Sequence, residues 1–355
     1  MRSIVSSLPV LSLKQQLGDP VLIALHWEGK VLQDSETPSS LAWPSEVTLT
    51  KVEMTFDHER PITLLRDQSN TFGVMDGDEA RRMCTAMKEL LLKEANVLEL
   101  QAPLVISAHL TGNLNALNYI FNTFGEPGGT SHLFLGNYVN KGRNGIDVMI
   151  LLLCFKKKFP GQVHLLRGKH ECSSIARIYG FYDECKHRFP SRSGVKLFRQ
   201  FVEVFDNLPL AAVIQSRVFC VSSGLSPKLD DLEELRKLQR PLEVGSDGLV
   251  CDLLWSDPED HQPGWHEMDK GMSYTYGPDV VDEFLKKNHM DFIVRGTQVV
   301  EEGYEFFADG KGVSIFSFPS FLGEFNNKAS VMLLDEQLQQ SLHTFDDTML
   351  PVPSA

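Results

Sequence analysis

From Ala102 onward the chain alternates short apolar runs with longer helical stretches, and this alternation restricts its fold more than any other feature. Pro103–Ile106, His132–Leu135 and Val163–Leu166 have strand length and strand composition, whereas Asn115–Phe124 and Gly145–Lys158 have helix length. Strands separated by helices pair most readily in parallel, with the helices as crossovers, so the reading is an α/β fold. Beyond Val213 strand-like runs become denser. Upstream, Asp78–Ala95 carries the helical stripe Met83, Met87, Leu90, Leu91 and Val97, with Asp78 as the expected N-cap and core packing as the expected role.

Three zones follow: an extension over 1–72, a main domain over 73–345, and a loose acidic, proline-containing tail over 346–355, its looseness setting in near Thr344. The extension holds strand-like Val21–His26 and Val47–Phe56, separated by a loop with Pro38 and Pro44, and it carries Trp27 and Trp43. Hydrophobic residues at 42% and charged residues at 23% exclude a globally disordered chain. The longest apolar run, Val148–Phe155, is far short of the roughly 20 residues a membrane span needs. With 34 Lys and Arg against 47 Asp and Glu the formal charge is -13, which disfavours direct nucleic-acid binding and suits basic protein partners. The six cysteines form no CxxC pair and read as buried thiols of a reducing, intracellular and most simply cytoplasmic compartment. Met1–Gly18 has Arg2, Lys14, several serines and no acid, as a mitochondrial presequence would, but Pro9 interrupts a helix there.

Chemistry in α/β folds collects in loops beyond the carboxyl ends of strands. Five such loops here are polar and contain glycine: Ser107–Gly112, Gly136–Gly142, Arg167–Glu171, Val221–Pro227 and Arg295–Gln298; a sixth, Ser317–Gly323, follows. Around them the chain resembles the phosphoprotein phosphatase family of Ser/Thr phosphatases, and type 1 most of all. The resemblance lies in Leu166-Arg-Gly168, His170-Glu-Cys172, Ile178-Tyr-Gly-Phe-Tyr-Asp-Glu-Cys-Lys186, Gly224-Leu-Ser-Pro227, Cys251-Asp-Leu-Leu-Trp-Ser-Asp-Pro258 and Val299-Val-Glu-Glu-Gly-Tyr-Glu-Phe-Phe307. It implies a calcineurin-like metallophosphoesterase fold, a β-sandwich of two mixed sheets flanked by helices, preceded by the extension.

The same resemblance implies a damaged site. Where the family pattern Gly-Asp-x-His-Gly places two metal ligands, this chain has His109 and Thr111. Where Gly-Asp-x-x-Asp-Arg-Gly places the bridging Asp, the Asp that supports the catalytic His, and a phosphate-binding Arg, it has Asn137, Asn140 and Lys141. The ligand Asn of Gly-Asn-His-Glu is Lys169, followed by the matching His170; the ligand His of His-Gly-Gly is Ser222; that of Arg-Ala-His is Thr297. A late-loop Tyr is Phe321. Two divalent ions about 3.5 Å apart repel by roughly 19 kcal/mol at an effective dielectric near 20, and bridging anionic oxygens must offset that. These positions supply no carboxylate and add an ammonium group. The expectation is therefore no metal and no cofactor, and no working catalytic residue among His109, Thr111, Asn137, Asn140, Lys169, His170, Ser222 and Thr297.

That leaves a catalytically inactive homologue acting as scaffold or regulatory subunit of a protein complex. The alternatives are a phosphate- or phosphopeptide-binding module using Lys141, Lys169, His170 and Arg240, with Arg295 nearby, and a residual Ser/Thr phosphatase. Lys169 is expected to fill space and charge that a metal vacated. By the same resemblance, a peptide-docking groove falls at Val218, Phe292, Phe306, Leu338 and Leu342, with Gln340 a departure and Asp291 and Glu336 on an acidic rim. Such a groove takes extended basic and apolar peptides by strand addition.

Overall fold

The computed structural model describes residues 56–67, 73–190, 192–268 and 271–351, and the backbone alone of three short strands before them. Those strands, β1 (Ile23–Trp27), β2 (Lys30–Val31) and β3 (Thr48–Lys51), pair antiparallel in the order β2-β1-β3. The segment 1–18, the loop with Pro38 and Pro44, and Trp43 lie outside the described residues. The chain divides into two units at Phe56/Asp57, not at 72. The expected boundary missed the helix Glu59–Arg66, which belongs to the second unit: it buries Ile62 and Leu65, and Leu65 O accepts from Asn118 Nδ2 at 2.9 Å.

The second unit is built on two large sheets, with a small third one of β10 (Asp257–Pro258), β11 (Trp265–Glu267) and β12 (Tyr274–Tyr276) in the order β10-β12-β11. One contains β4 (Val97–Leu100), β8 (Ala211–Ile214), β9 (Val218–Val221), β13 (Phe292–Arg295), β14 (Tyr304–Phe307) and β15 (Gly312–Ile315), in the order β14-β15-β13-β9-β8-β4. The other contains β5 (Leu104–Ser107), β6 (His132–Phe134), β7 (Val163–Leu165), β16 (Ala329–Leu334) and β17 (Gln340–Phe345), in the order β17-β16-β5-β6-β7. Both are mixed: β5, β6 and β7 run parallel, and β16 closes on β5 antiparallel.

The two-residue period of a strand divides its side chains between two cores. Ala212, Ile214, Val218 and Cys220 point into the space between the sheets, where they meet Ile106, Leu133, Leu166 and Met332. Their neighbours Val213, Phe219 and Val221 point outward, against Leu232, Leu253, Val281 and Phe284 of covering helices. The helix Gly145–Lys158 is buried around its circumference, which is why it reads as a long apolar run. The α/β sandwich expected from the sequence is the observed fold.

Two local expectations change. The helix after the extension spans Gly77–Leu91 and its cap is Asp76, whose carboxylate accepts from Asp78 N at 2.8 Å and Glu79 N at 2.7 Å while Glu79 answers back to Asp76 N. That reciprocal pair holds the first turn two residues before the expected cap. Val97 leaves the helical stripe for β4. The tail is also not loose at Thr344: Phe345 pairs with Ala329 and is buried, and Asp346 caps the turn Asp347–Met349 through Thr348 N at 3.0 Å.

Candidate functional site

The polar loops meet because the strands feeding them are neighbours. His109 N donates to Gly136 O at 3.2 Å and Thr111 N to Asn137 O at 2.8 Å, which binds the loop after β5 to the loop after β6. Gly296 N donates to Ser222 O at 3.1 Å, joining the loops after β9 and β13. Ser317 N reaches Ala108 O at 2.9 Å, linking the late loop to the first. The approach is so close that a Cβ on Gly136, whose φ is +95°, would lie 2.4 Å from Gly168 N. His109, Thr111, Asn137, Asn140 and Lys141 all have positive φ, from 37° to 71°. Backbone strain of this kind in non-glycine residues persists only where the surroundings impose it, and it gathers at functional sites.

One residue that sequence reading did not single out holds two of these loops together. The Glu171 carboxylate accepts from the backbone N–H groups of Asn137 at 2.7 Å, Tyr138 at 2.8 Å, Val139 at 3.3 Å and Gly168 at 3.1 Å. No local sequence signal sets it apart, because most of its partners lie 32 to 34 residues earlier.

The imidazoles sit in an aromatic setting. His109 stacks on Phe316 at 4.5 Å between ring centroids, and meets Phe321 at 5.6 Å and His170 at 5.3 Å edge-on. Phe316, at the end of β15, was also not anticipated. His170 Nδ1 lies 2.9 Å from Val139 O; a carbonyl only accepts, so in the neutral ring Nδ1 carries the proton and Nε2 the lone pair. Asn137 Oδ1 accepts from His170 N at 3.1 Å, and Asn140 Oδ1 from Phe181 N at 3.1 Å. Asn140 therefore supports a backbone amide and not the His170 ring.

After these bonds a set of buried polar atoms has no partner among the described residues: His109 Nδ1, Thr111 Oγ1, Asn137 Nδ2, Asn140 Nδ2 and Ser222 Oγ, along with Ser107 Oγ at the root of the first loop. Thr297 differs, because its hydroxyl donates to Ser222 O at 2.7 Å.

Burial, then the charge of Lys169 and Lys141, holds His170 down at about 4, against the Val139 bond, which favours the proton. Burial, then His170 and Lys169, holds His109 well below the ordinary histidine range. Burial pushes the Glu171 carboxyl up to about 7 against its four donors, and likewise Glu184 up to about 8. His132 and His164, buried elsewhere, are lowered to about 4. Between about pH 6.5 and 5 the unfolded chain takes up protons on four imidazoles that the folded chain leaves neutral. The folded chain keeps protons on two carboxyls that the unfolded chain has lost. The unfolded state thus binds about two more protons, and stability falls on acidification by on the order of 1–3 kcal/mol per pH unit. The raised Asp147 and Asp206 carboxyls oppose this at the acid end. Above about pH 6.5 the sign reverses, because the imidazoles are then neutral in both states while the folded chain still holds the Glu171 and Glu184 protons. Urea midpoints measured from pH 5 to 8 will peak near pH 6.5; a midpoint rising steadily toward pH 5 would contradict this balance.

The expected cationic residues separate. Lys169 is half-buried with its Nζ 5.1 Å from the Trp255 ring centroid, and Lys141 is exposed with its Nζ 4.5 Å from the Tyr179 ring centroid; both act on His170. Arg240 does not join them. Its guanidinium donates to Asn207 O at 2.6 Å and to Glu94 O, so it fastens a loop instead of facing the imidazoles. Arg295 is wholly buried and bound to Asp257, Ser223 O and Ser314 Oγ, which makes it a structural link between loops. Where the loops after β5, β6 and β15 meet, a cleft of about 430 Å3 is lined by Gly112, Asn113, Lys141, Arg143, Phe318 and Leu322, among others.

Of the expected docking residues, Val218 is buried, Phe292, Leu338 and Leu342 are half-buried against the inter-sheet core, and Phe306 on edge strand β14 is 42% exposed. Asp291 pairs with Arg217.

A mixed two-sheet sandwich, helices on its faces and polar loops gathered over the strand ends, defines a phosphoesterase-type α/β protein. Residues 103–300 match the model of the calcineurin-like phosphoesterases, and the chain belongs to that family. It is similar to a protein serine/threonine phosphatase from Saccharomyces cerevisiae, described as similar to human phosphatase PP5, with 25% identity over 77% of this chain and 90% of that one and a TM-score of 0.71. A cold-active protein-tyrosine phosphatase from a psychrophilic Shewanella species shares the fold, with 16% identity over 72% of this chain and 84% of that one and a TM-score of 0.52.

The fold family implies a pair of divalent ions, and the residues at this place do not fit them. Among the described residues no group of three or more His, Cys, Asp or Glu is arranged to hold an ion. The unpartnered atoms are amide N–H groups, hydroxyls and one imidazole nitrogen. Amide N–H donors cannot ligate a cation, neutral hydroxyls are poor ligands, and the nearby lysines repel it.

Proposed function

We propose that this chain is a pseudophosphatase, a phosphoprotein phosphatase homologue of type 1 character that keeps the frame and has lost the hydrolytic chemistry, and that it serves as a scaffold or regulatory subunit of a larger protein assembly. One observation carries the reading: the donor set at the six family ligand positions contains no carboxylate and an added ammonium group. The acid half of the machinery is weakened as well. His170 is neutral at physiological pH and has Val139 O where a carboxylate would stabilise its imidazolium. Retained sequence around both features, with the chemistry gone from their centre, suits a protein whose work is binding.

The support for a binding role is the apolar character of the docking positions the resemblance implies, with Phe306 exposed on edge strand β14 and Phe292, Leu338 and Leu342 half-buried against the inter-sheet core. The partners proposed are proteins with short basic and apolar segments, in keeping with a formal charge of -13. The cytoplasm is the compartment proposed, since all six cysteines are buried free thiols.

Metal analysis of the purified full chain, with a p-nitrophenyl phosphate assay in added manganese, tests the reading. The expected result is substoichiometric metal and turnover no higher than in buffer. Stoichiometric metal with chelator-sensitive turnover would sink it.

A further inference from the structure

The helices downstream of His170 present a face opposite in formal charge to the rest of the chain. From Arg177 to Arg199 stand six Lys and Arg against two acids, in a chain whose formal charge is -13. Glu184 points toward the helix Gly145–Lys158, where its carboxylate accepts from Ile146 N at 2.8 Å, and Arg188 is spent on Asp147. Asp183 is the one acid of the stretch left exposed, 4.0 Å from Lys186. The helices Phe181–Arg188 and Arg192–Phe205 cross at Gly194, where a Cβ would lie 2.8 Å from Lys186 Cα, so their cations gather on a shared surface. Arg177 lies over the Tyr182 ring at 4.6 Å and the Phe198 ring at 5.4 Å, and Lys186 over Tyr182 at 5.2 Å. Tyr182 meets Phe198 edge-on at 5.0 Å, which ties this cluster to the second helix. On that helix Arg192, Lys196 and Arg199, spaced by four and three, form one exposed stripe and make no ion pair among the described residues. Glu203, the next residue of the stripe, is taken by Lys88 at 2.8 Å.

We propose that this basic helical face is a docking surface for an acidic segment of a partner protein, seated along Lys196 and Arg199 with Arg177 and Lys186 beside it. The proposal goes beyond the pseudophosphatase reading and holds whether or not the chain hydrolyses phosphate esters. Like charges three and four residues apart destabilise a helix, so the stripe is a standing cost that opposite charge from outside removes. Arg177 and Lys186 are held over aromatic rings, so little side-chain freedom is lost when a carboxylate arrives. The occupant is a short segment and not a nucleic acid or a membrane. A long polyanion also meets the field of the other, acidic faces, whereas a short segment feels only the charges within the roughly 8–10 Å that salt leaves unscreened. The positions around Phe306 are proposed for basic segments, so the two surfaces choose different partners.

The test is fluorescence anisotropy on the full chain in about 0.15 M salt. The probes are a labelled peptide of Glu and Ser, its counterpart with Gln in place of every Glu, and a labelled DNA duplex, alongside sedimentation with phosphatidylserine vesicles. The expected result is saturable binding of the Glu peptide, about tenfold tighter than that of the Gln peptide, and weakened about tenfold when Lys196→Glu and Arg199→Glu are combined. Lys311→Glu combined with Lys328→Glu makes the same change in net charge at two surface cations paired with Asp282 and Glu302, and weakens binding by no more than about twofold. Thermal melts establish that each variant is folded; Lys196→Ala with Arg199→Ala carries the test if the Glu pair does not fold, with an expected loss of about threefold. No saturable binding of the Glu peptide, equal binding of the Gln peptide, equal losses in the two charge-matched variants, or tighter binding of the duplex or the vesicles would each overturn the proposal. Manganese-dependent turnover of an aryl phosphate would overturn the pseudophosphatase reading alone.

Discussion

Glu171→Ala will cost about 4 kcal/mol or more of folding stability, enough to leave the chain unfolded or aggregated near 37 °C. The carboxylate is the common acceptor for four buried backbone N–H groups, three in the loop after β6 and one in the loop after β7. Each donor stranded away from water loses a partner at about 1–3 kcal/mol, and Glu171 is fully buried. Glu171→Gln is the sharper comparison. Its shape is nearly the same, but its NH2 would face N–H donors, so it recovers only part of the loss. Urea unfolding of the three proteins at pH 7 reads the effect directly. A loss below about 1 kcal/mol for the alanine variant would show that the loops are held by other means.

The second large effect is a gain. Restoring the six family ligands together, with His109→Asp, Thr111→His, Asn137→Asp, Lys169→Asn, Ser222→His and Thr297→His, will give a protein that binds manganese and hydrolyses p-nitrophenyl phosphate above the unaltered chain. Two carboxylates then offset the roughly 19 kcal/mol repulsion between paired divalent ions, and the opposing ammonium group is gone. Partial sets will not do. Each single change leaves either no bridging anion or a lysine beside the ions, and groups acting as a unit fail together. The recovered rate stays well below that of an intact enzyme, because Asn140 gives His170 no carboxylate partner and Phe316 and Phe321 crowd the His109 side chain. Manganese bound per chain, by calorimetry and metal analysis, separates a failure to bind from a failure to turn over. A folded six-fold variant that binds no manganese would show that the cavity, and not its ligands, had been lost.

The fold was legible because its signals are local. Gly145–Lys158 appears at the bounds its apolar run implied, and the strands after Ala102 fall within a residue of their expected places, since period and turn residues act over a few positions. The charge deficit was equally legible: that no carboxylate stands at 109, 111, 137, 169, 222 or 297 is a statement about composition at fixed places. What side chains do with their hydrogen bonds was not. Arg240 is spent on the carbonyls of Glu94 and Asn207, the first 146 residues away in the chain, and no local pattern records that. Glu171 looks in sequence like a neighbour of His170, yet its partners lie mostly 32 to 34 residues earlier. The amide nitrogens of Asn137 and Asn140 are stranded only because distant backbone groups claimed their oxygens. Sequence by itself determined which donor types stand at the six positions, because that depends on residue type alone. Only the tertiary structure decided which donors are left over, because satisfaction of a buried polar group depends on whatever the fold brings within about 3 Å of it.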